Sequence, residues 1–141
     1  MKADSAILRQ VVINLLDNAI KYSPCNGHIT VRVLRSDSLT ACVEVEDCGP
    51  VIAPEHRDKV FNRFYRIDEG RSREAGGAGL GLAIAKWGAE AHGGRLELES
   101  VSAGCVFRLM LPLYAEPVGK DPVETPNGAK TTDLSIQKMT I

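Results

Sequence analysis

No stretch of the 141-residue chain approaches the roughly 20 consecutive apolar residues that a membrane-spanning helix requires. The N-terminus also lacks a basic region followed by an apolar signal core. The segment is accordingly expected in the cytoplasm, without membrane contact. Neither sign of charge dominates: 17 Lys and Arg stand against 18 Asp and Glu, for a net charge of -1. Without an overall cationic field, nucleic acid is not an expected partner. Cys25, Cys42, Cys48 and Cys105 form no C-x-x-C pair, and His28, His56 and His92 are too scattered for a sequence-local metal site. The thiols read as reduced packing groups. What is present, 44% hydrophobic and 25% charged residues, is the composition of a globular protein and excludes collagen-like, wholly disordered and disulfide-scaffold classes. The length suits one domain.

Leu8, Val11, Val12, Leu15, Leu16, Ala19 and Ile20 recur at helical spacing, which predicts an amphipathic helix over 5–22 ended by Ser23-Pro24. Ile29, Val31 and Val33 alternate, Ser36-Asp37-Ser38 turns the chain, and Ala41, Val43 and Val45 alternate again, as in an antiparallel hairpin. Pro54 opens a predicted short helix that carries Val60, Phe61 and Phe64 and ends near Arg66. Residues 67–78 have no apolar periodicity and read as a mobile, solvated loop. Leu80, Ala83, Ile84, Trp87 and Ala91 mark a further helix closed by Gly93-Gly94. Two strands follow, over 95–100 and 105–111, around a Ser102-Ala103-Gly104 turn. The expected fold is α+β: a two-layer α/β sandwich, its mixed, mostly antiparallel sheet covered on one face by helices. Residues 1–114 form the domain, and residues 115–141, rich in Pro and Gly among polar residues, form a tail expected to be disordered.

Three motifs point to chemistry. At about 100° per residue, Asn14, Asn18 and Lys21 share the polar arc of the first helix. An amide oxygen is a neutral Mg²⁺ ligand and a lysine a point charge for phosphates, although N-x-x-x-N alone is equally a solvated helix face. Asp47-Cys48-Gly49-Pro50 closes a strand with a carboxylate able to accept a hydrogen bond from the exocyclic amine of adenine, beside a glycine that permits close backbone approach; alone, it is a common strand exit. Gly76-Gly77-Ala78-Gly79-Leu80-Gly81-Leu82 precedes a helix whose N-terminal amides and dipole favour phosphate. That run fits neither G-x-G-x-x-G nor a P-loop, and a flexible glycine linker is its bland counterpart.

The segments LRQVVINLLDNAIKYS, EDCGPVIAPEHRDKVFNRFYR and GGAGLGLAIAKWGAEAHGGRLELES resemble, in order and spacing, the N, G1, F and G2 boxes of the catalytic ATP-binding domain of bacterial sensor histidine kinases. The resemblance runs from about Ser5 to Leu113. It implies a Bergerat fold with a mobile ATP lid, ATP and Mg²⁺ as cofactors, and donation of the γ-phosphate to a histidine. It implies that Asn18 ligates Mg²⁺, that Asn14 is the preceding box asparagine, that Lys21 contacts phosphate and that Tyr22 packs beside adenine. Asp47 becomes the adenine-reading aspartate, with Gly49, Val51 and Ile52 lining the same pocket. Phe61 and Phe64 become the F-box aromatics, Arg63 and Arg66 reach the γ-phosphate side, and Gly77, Gly79 and Gly81, with Leu80 and Leu82, form the lid-closing run.

Two departures accompany the resemblance. Val51 stands where the family has a second G1 glycine, and a β-branched residue is costly at positive φ and intrudes beside a ligand. No phosphoacceptor helical hairpin precedes Asp4, so the expected partner is a histidine-bearing dimerisation domain of the same or another protein, with a response regulator reached through it. Any longer parent is expected to be anchored in the inner membrane. Gyrase- and chaperone-type ATPases of this fold carry a glutamate general base where Asn14 stands, and an amide cannot take a proton from water at neutral pH. An anti-sigma-type serine kinase and a non-catalytic regulatory module with a pocket closed by Val51 are the remaining alternatives.

Overall fold

The computed structural model describes residues 3–24, 26–67, 79–113 and 132–137. Helix α1 spans Ser5–Tyr22, and the Asp4 carboxylate caps it by accepting from the N–H groups of Ala6 and Ile7 at 2.9 and 3.3 Å. It stops at Ser23, whose ψ of 141° is the extended backbone that a following proline imposes. Strands β1 (His28–Asp37), β2 (Thr40–Asp47), β3 (Arg95–Val101), β4 (Gly104–Pro112) and β5 (Thr132–Gln137) form one sheet in the order β3-β4-β2-β1-β5. Every described pairing is antiparallel, so the sheet is not mixed. The two tight hairpins, β1–β2 and β3–β4, dictate this sense locally, and β4 joins β2 in the same way.

Helix α2 (Gly81–Ala91) lies beside α1 on one face of the sheet. Val11, Leu15 and Ala19 of α1 and Ala85 and Ala89 of α2 are buried with Ile29, Val45, Phe107 and Leu109 in a single core. Gly88 allows the helices to approach: a Cβ there would lie 2.5 Å from Cγ2 of Val11. The opposite face carries cross-strand ion pairs, Arg32 to Glu46 at 2.6 Å and Arg108 to Glu44 at 2.7 Å, with Arg108 also paired to Glu99. Individually such half-exposed pairs contribute little, but opposite charges on neighbouring strands reinforce the register.

Two expectations are corrected. Between Pro54 and Arg66 there is no continuous helix but two 3₁₀ turns, Pro54–His56 and Lys59–Phe61. Val60 is buried and Phe61 packs edge-on against Phe107; two anchors are too few to hold an amphipathic α-helix, and 3₁₀ geometry suits short pieces. In the C-terminal segment read as disordered over 115–141, residues 132–137 pair with β1 instead. Asp-Leu-Ser-Ile-Gln, residues 133–137, alternates polar and apolar residues, and β1 presents an edge for it to join. The rest of that segment, and the glycine-rich loop over 68–78, lie outside the described residues.

Candidate nucleotide-binding site

The polar arc of α1 is partly buried. Oδ1 of Asn14 accepts from Nε2 of Gln10 at 3.1 Å, while its Nδ2 is buried and has no hydrogen-bond partner among the described residues. An unpaired buried amide costs about 1–3 kcal/mol, which marks Asn14 as a group awaiting a partner. Asn18 is half-buried one turn later, and Lys21 and Tyr22 are exposed at the C-terminal end.

The exit of β2 is pressed against that end. Asp47 is 4% exposed and its Oδ1 accepts from the N–H of Gly49 at 2.8 Å. Burial pushes the carboxyl above the usual carboxylate range, and the N–H groups of Gly49 and Cys105 pull partly the other way. A Cβ on Gly49 would lie 2.9 Å from the carbonyl oxygen of Tyr22 and 3.0 Å from Oδ1 of Asp47. Glycine is required there by space, and the same contact joins the α1 arc to the Asp47 loop. Gly104, at φ 131°, makes an equally close approach from the other side: its Cβ would fall 1.9 Å from the Asp47 carbonyl oxygen. From sequence Gly104 reads only as part of a turn between strands, with nothing to place it against Asp47.

Val51 does not behave as expected. Phe64 is the only non-glycine residue with positive φ among those described, so Val51 carries no left-handed strain. Its side chain is 53% exposed. The loop has passed its tightest point at Gly49, and two residues later the backbone is free to take a conformation that valine tolerates. Ile52 is half-buried against the core, its carbonyl accepting from Oγ of Ser100 at 2.9 Å and Nε of Arg57 at 3.4 Å.

A third group lies at the start of α2. Phe64, with φ 64° and 70% exposed, donates its N–H to the carbonyl of Gly79 at 3.0 Å, and Gly79 has φ 72°. A Cβ at Gly79 would lie 3.1 Å from Cα of Phe64, so only glycine fits on both counts. The clasp joins the two sides of the glycine-rich loop; Gly77 lies outside the described residues. The first-turn N–H groups of α2, at Gly81, Leu82 and Ala83, have no intrahelical acceptor. Among the described residues Leu80 supplies no side-chain cap, and nothing lies within 4 Å of the position a Cβ on Gly81 would take. Leu82 packs against the core. Arg63 is exposed beside the clasp and Arg66 half-buried after it.

The pairing of the helices orients these groups. Nε2 of His92, past the end of α2, accepts from the N–H of Asp4 at 3.0 Å, and Gly88 meets Val11 and Ile7. The helices therefore run antiparallel, and the N-terminus of α2 points toward the Asn14 and Asn18 end of α1. One end of the helical layer thus gathers two amides, a buried carboxylate and a helix start with no side-chain cap among the described residues. Among the described residues no three His, Cys, Asp or Glu side chains cluster as a metal site, and no helix is long and apolar enough to cross a membrane.

Residues 3–115 match the family model of histidine kinase-, DNA gyrase B- and HSP90-like ATPases. The sensor histidine kinase RppB of Synechocystis is 40% identical over 112 residues, which are 79% of this chain and 24% of RppB. The chain thus spans about a quarter of that relative's length. Among solved structures, a mycobacterial sensor histidine kinase MprB superposes with a TM-score of 0.69 at 37% identity, covering 78% of this chain and 72% of that one. Full-length ShkA, solved with AMPPNP, superposes with a TM-score of 0.67 at 30% identity, covering 82% and 24%. The antiparallel sheet under two helices is accordingly a Bergerat fold like that of sensor histidine kinase catalytic domains, and the chain belongs to the histidine kinase-, DNA gyrase B- and HSP90-like ATPase family.

Proposed function

We propose that this domain binds ATP with Mg²⁺ in the cytoplasm and donates the γ-phosphate to a histidine on a dimerisation hairpin, from which a response regulator is phosphorylated. The observation that carries the reading is the buried Asp47 carboxylate, held by Gly49 against the C-terminal end of the asparagine-bearing helix. A carboxylate so buried is costly unless it meets donors, and the exocyclic amine of adenine is a donor of the right kind. AMPPNP in ShkA and the sensor kinase relatives support the same assignment.

The remaining residues fit a nucleotide. Tyr22 and Ile52 flank the base, with Val51 at the exposed rim. The unpartnered Nδ2 of Asn14 is a donor for the phosphate chain or its hydration. Lys21 supplies charge, and the open N-terminus of α2 at Leu80, Gly81 and Leu82 supplies amides and the positive end of a dipole. Gly79, at positive φ, holds the turn before it, while Arg63 and Arg66 stand on the γ-phosphate side beside Phe64. The Asn18 amide oxygen is a neutral ligand suited to Mg²⁺, an ion that neutralises developing phosphate charge when bound and takes most of its shell from phosphates and water. With Asn14 in place of a carboxylate base, the domain is built for transfer to an imidazole, already a nucleophile, rather than for hydrolysis.

The test is calorimetric titration with ATP and ADP, with and without Mg²⁺, against GTP. Adenine-selective, Mg²⁺-strengthened binding is the expected result, and equal heats for ATP and GTP would refute it.

A further inference from the structure

Strand β5 lies outside the part of the chain that matches the family, which ends at residue 115. It joins a sheet whose other four strands already lie within that match, and it pairs with β1 alone, at the end of the strand order. We infer that the outer edge of β1 is a strand-accepting peptide site, specific for an extended segment of alternating polar and apolar residues, and that residues 132–137 of the same chain are its resident, exchangeable occupant. The inference does not depend on the nucleotide reading.

The register carries the specificity. Six consecutive pairs run from His28 opposite Gln137 to Val33 opposite Thr132. Within them Ile136 stands opposite Ile29 and Leu134 opposite Val31, the two β1 residues that are buried, at 1% and 9% exposure. Asp133 stands opposite Arg32 in the same register. A slip of one residue would place Asp133 and Ser135, or Ser135 and Gln137, at the two core-side positions, which a half-buried edge rejects. The occupant is exchangeable because it is short, is paired along one side only, and reaches the edge through the connecting residues 114–131. Tethering of that kind supplies an effective concentration on the order of millimolar. An untethered strand at micromolar concentration therefore competes only when the resident has left. An edge with open backbone groups is the usual seat for β-strand addition.

The experiment uses the 141-residue chain and backbone amide exchange. Ser135→Pro removes a donor and restricts φ in the middle of β5. Amides of β1 alternate between its two neighbours. In the variant, those within residues 28–33 that face β5 should exchange about tenfold faster or more, while those facing β2, and the amides of β4, keep their protection. A synthetic peptide of residues 131–138, Thr-Thr-Asp-Leu-Ser-Ile-Gln-Lys, at about 100 μM should restore slow exchange in the variant and leave the unaltered chain unchanged. A peptide of the same composition with Leu and Ile each moved by one position should not. Ile136→Asp, which retains every backbone donor, is the second variant should Ser135→Pro also lose protection in β4. Identical β1 exchange with and without the substitutions would overturn the inference, as would failure of the native-order peptide to restore protection, or equal restoration by the shifted one.

Discussion

Asp47 faces opposed demands from folding and from binding. Burial raises its carboxyl above the ordinary aspartate value. A group whose folded value is raised stabilises the fold fully below the unfolded value and loses that contribution as pH rises through the folded one. At pH 7 the charged side chain is therefore a cost to folding. Asp47→Asn keeps an oxygen for the Gly49 N–H, so the variant should melt higher than the parent at pH 7, the difference narrowing toward pH 4 in thermal scans. The same change should weaken ATP by about 1.5–3 kcal/mol, roughly ten- to a hundredfold, through loss of a charge-assisted hydrogen bond. A parent that melts higher at every pH would contradict the assignment. At Val51 the structure reverses the sequence argument. Exposed and without left-handed strain, it gives Val51→Gly no pocket to open. MgATP affinity should stay within about twofold, with a loss of up to about 1 kcal/mol in stability from added freedom of the unfolded chain. Asp47 and Gly49 were legible because their residue types are needed in place; the fate of Val51 depended on a backbone path that no single residue type reveals.

Among the elements, those with strong periodicity were legible, α1 and the β1–β2 and β3–β4 hairpins above all, because each buries an apolar face that the spacing displays. The segment after Pro54 was not, since Val60 and Phe61 are held by tertiary contacts with the core rather than by helical period. β5 was missed because two apolar residues in a Pro- and Gly-rich context look too few until the partner edge is known. The contact of α1 with α2 offers a test of packing by itself. Gly88→Ala gains helix propensity of about 1 kcal/mol, but its new methyl would meet Val11 at 2.5 Å, and overpacking of this kind costs about 1–3 kcal/mol. The expected result is a net loss in urea unfolding, relieved in part when Val11→Ala is added. A coupling energy near zero in that double-mutant cycle would show that the helices simply move apart.

At the scale of the molecule, the proposed reaction needs a histidine that this chain does not present. His28 begins β1, where its carbonyl oxygen accepts from the Cys48 thiol. Nδ1 of His56 shares a 2.5 Å hydrogen bond with the hydroxyl of Tyr65. In His92 both ring nitrogens are engaged: Nε2 accepts from the N–H of Asp4, which leaves Nδ1 to donate to the Gly88 carbonyl at 2.7 Å. That tautomer has no free lone pair to attack a phosphoryl group. The proposed transfer is therefore expected to run to a histidine on another polypeptide segment. Incubated with γ-labelled ATP, the chain alone should take up no acid-labile phosphate. Mixed with the dimerisation hairpin of a sensor kinase relative such as RppB, it should label the hairpin and lose that activity with Asn18→Ala, which removes the amide oxygen proposed for Mg²⁺. Label on the isolated chain that vanishes with His28→Ala would assign the acceptor to this domain. A hairpin left unlabelled despite calorimetric binding of MgATP would separate nucleotide recognition from phosphotransfer and leave only the former to this fold.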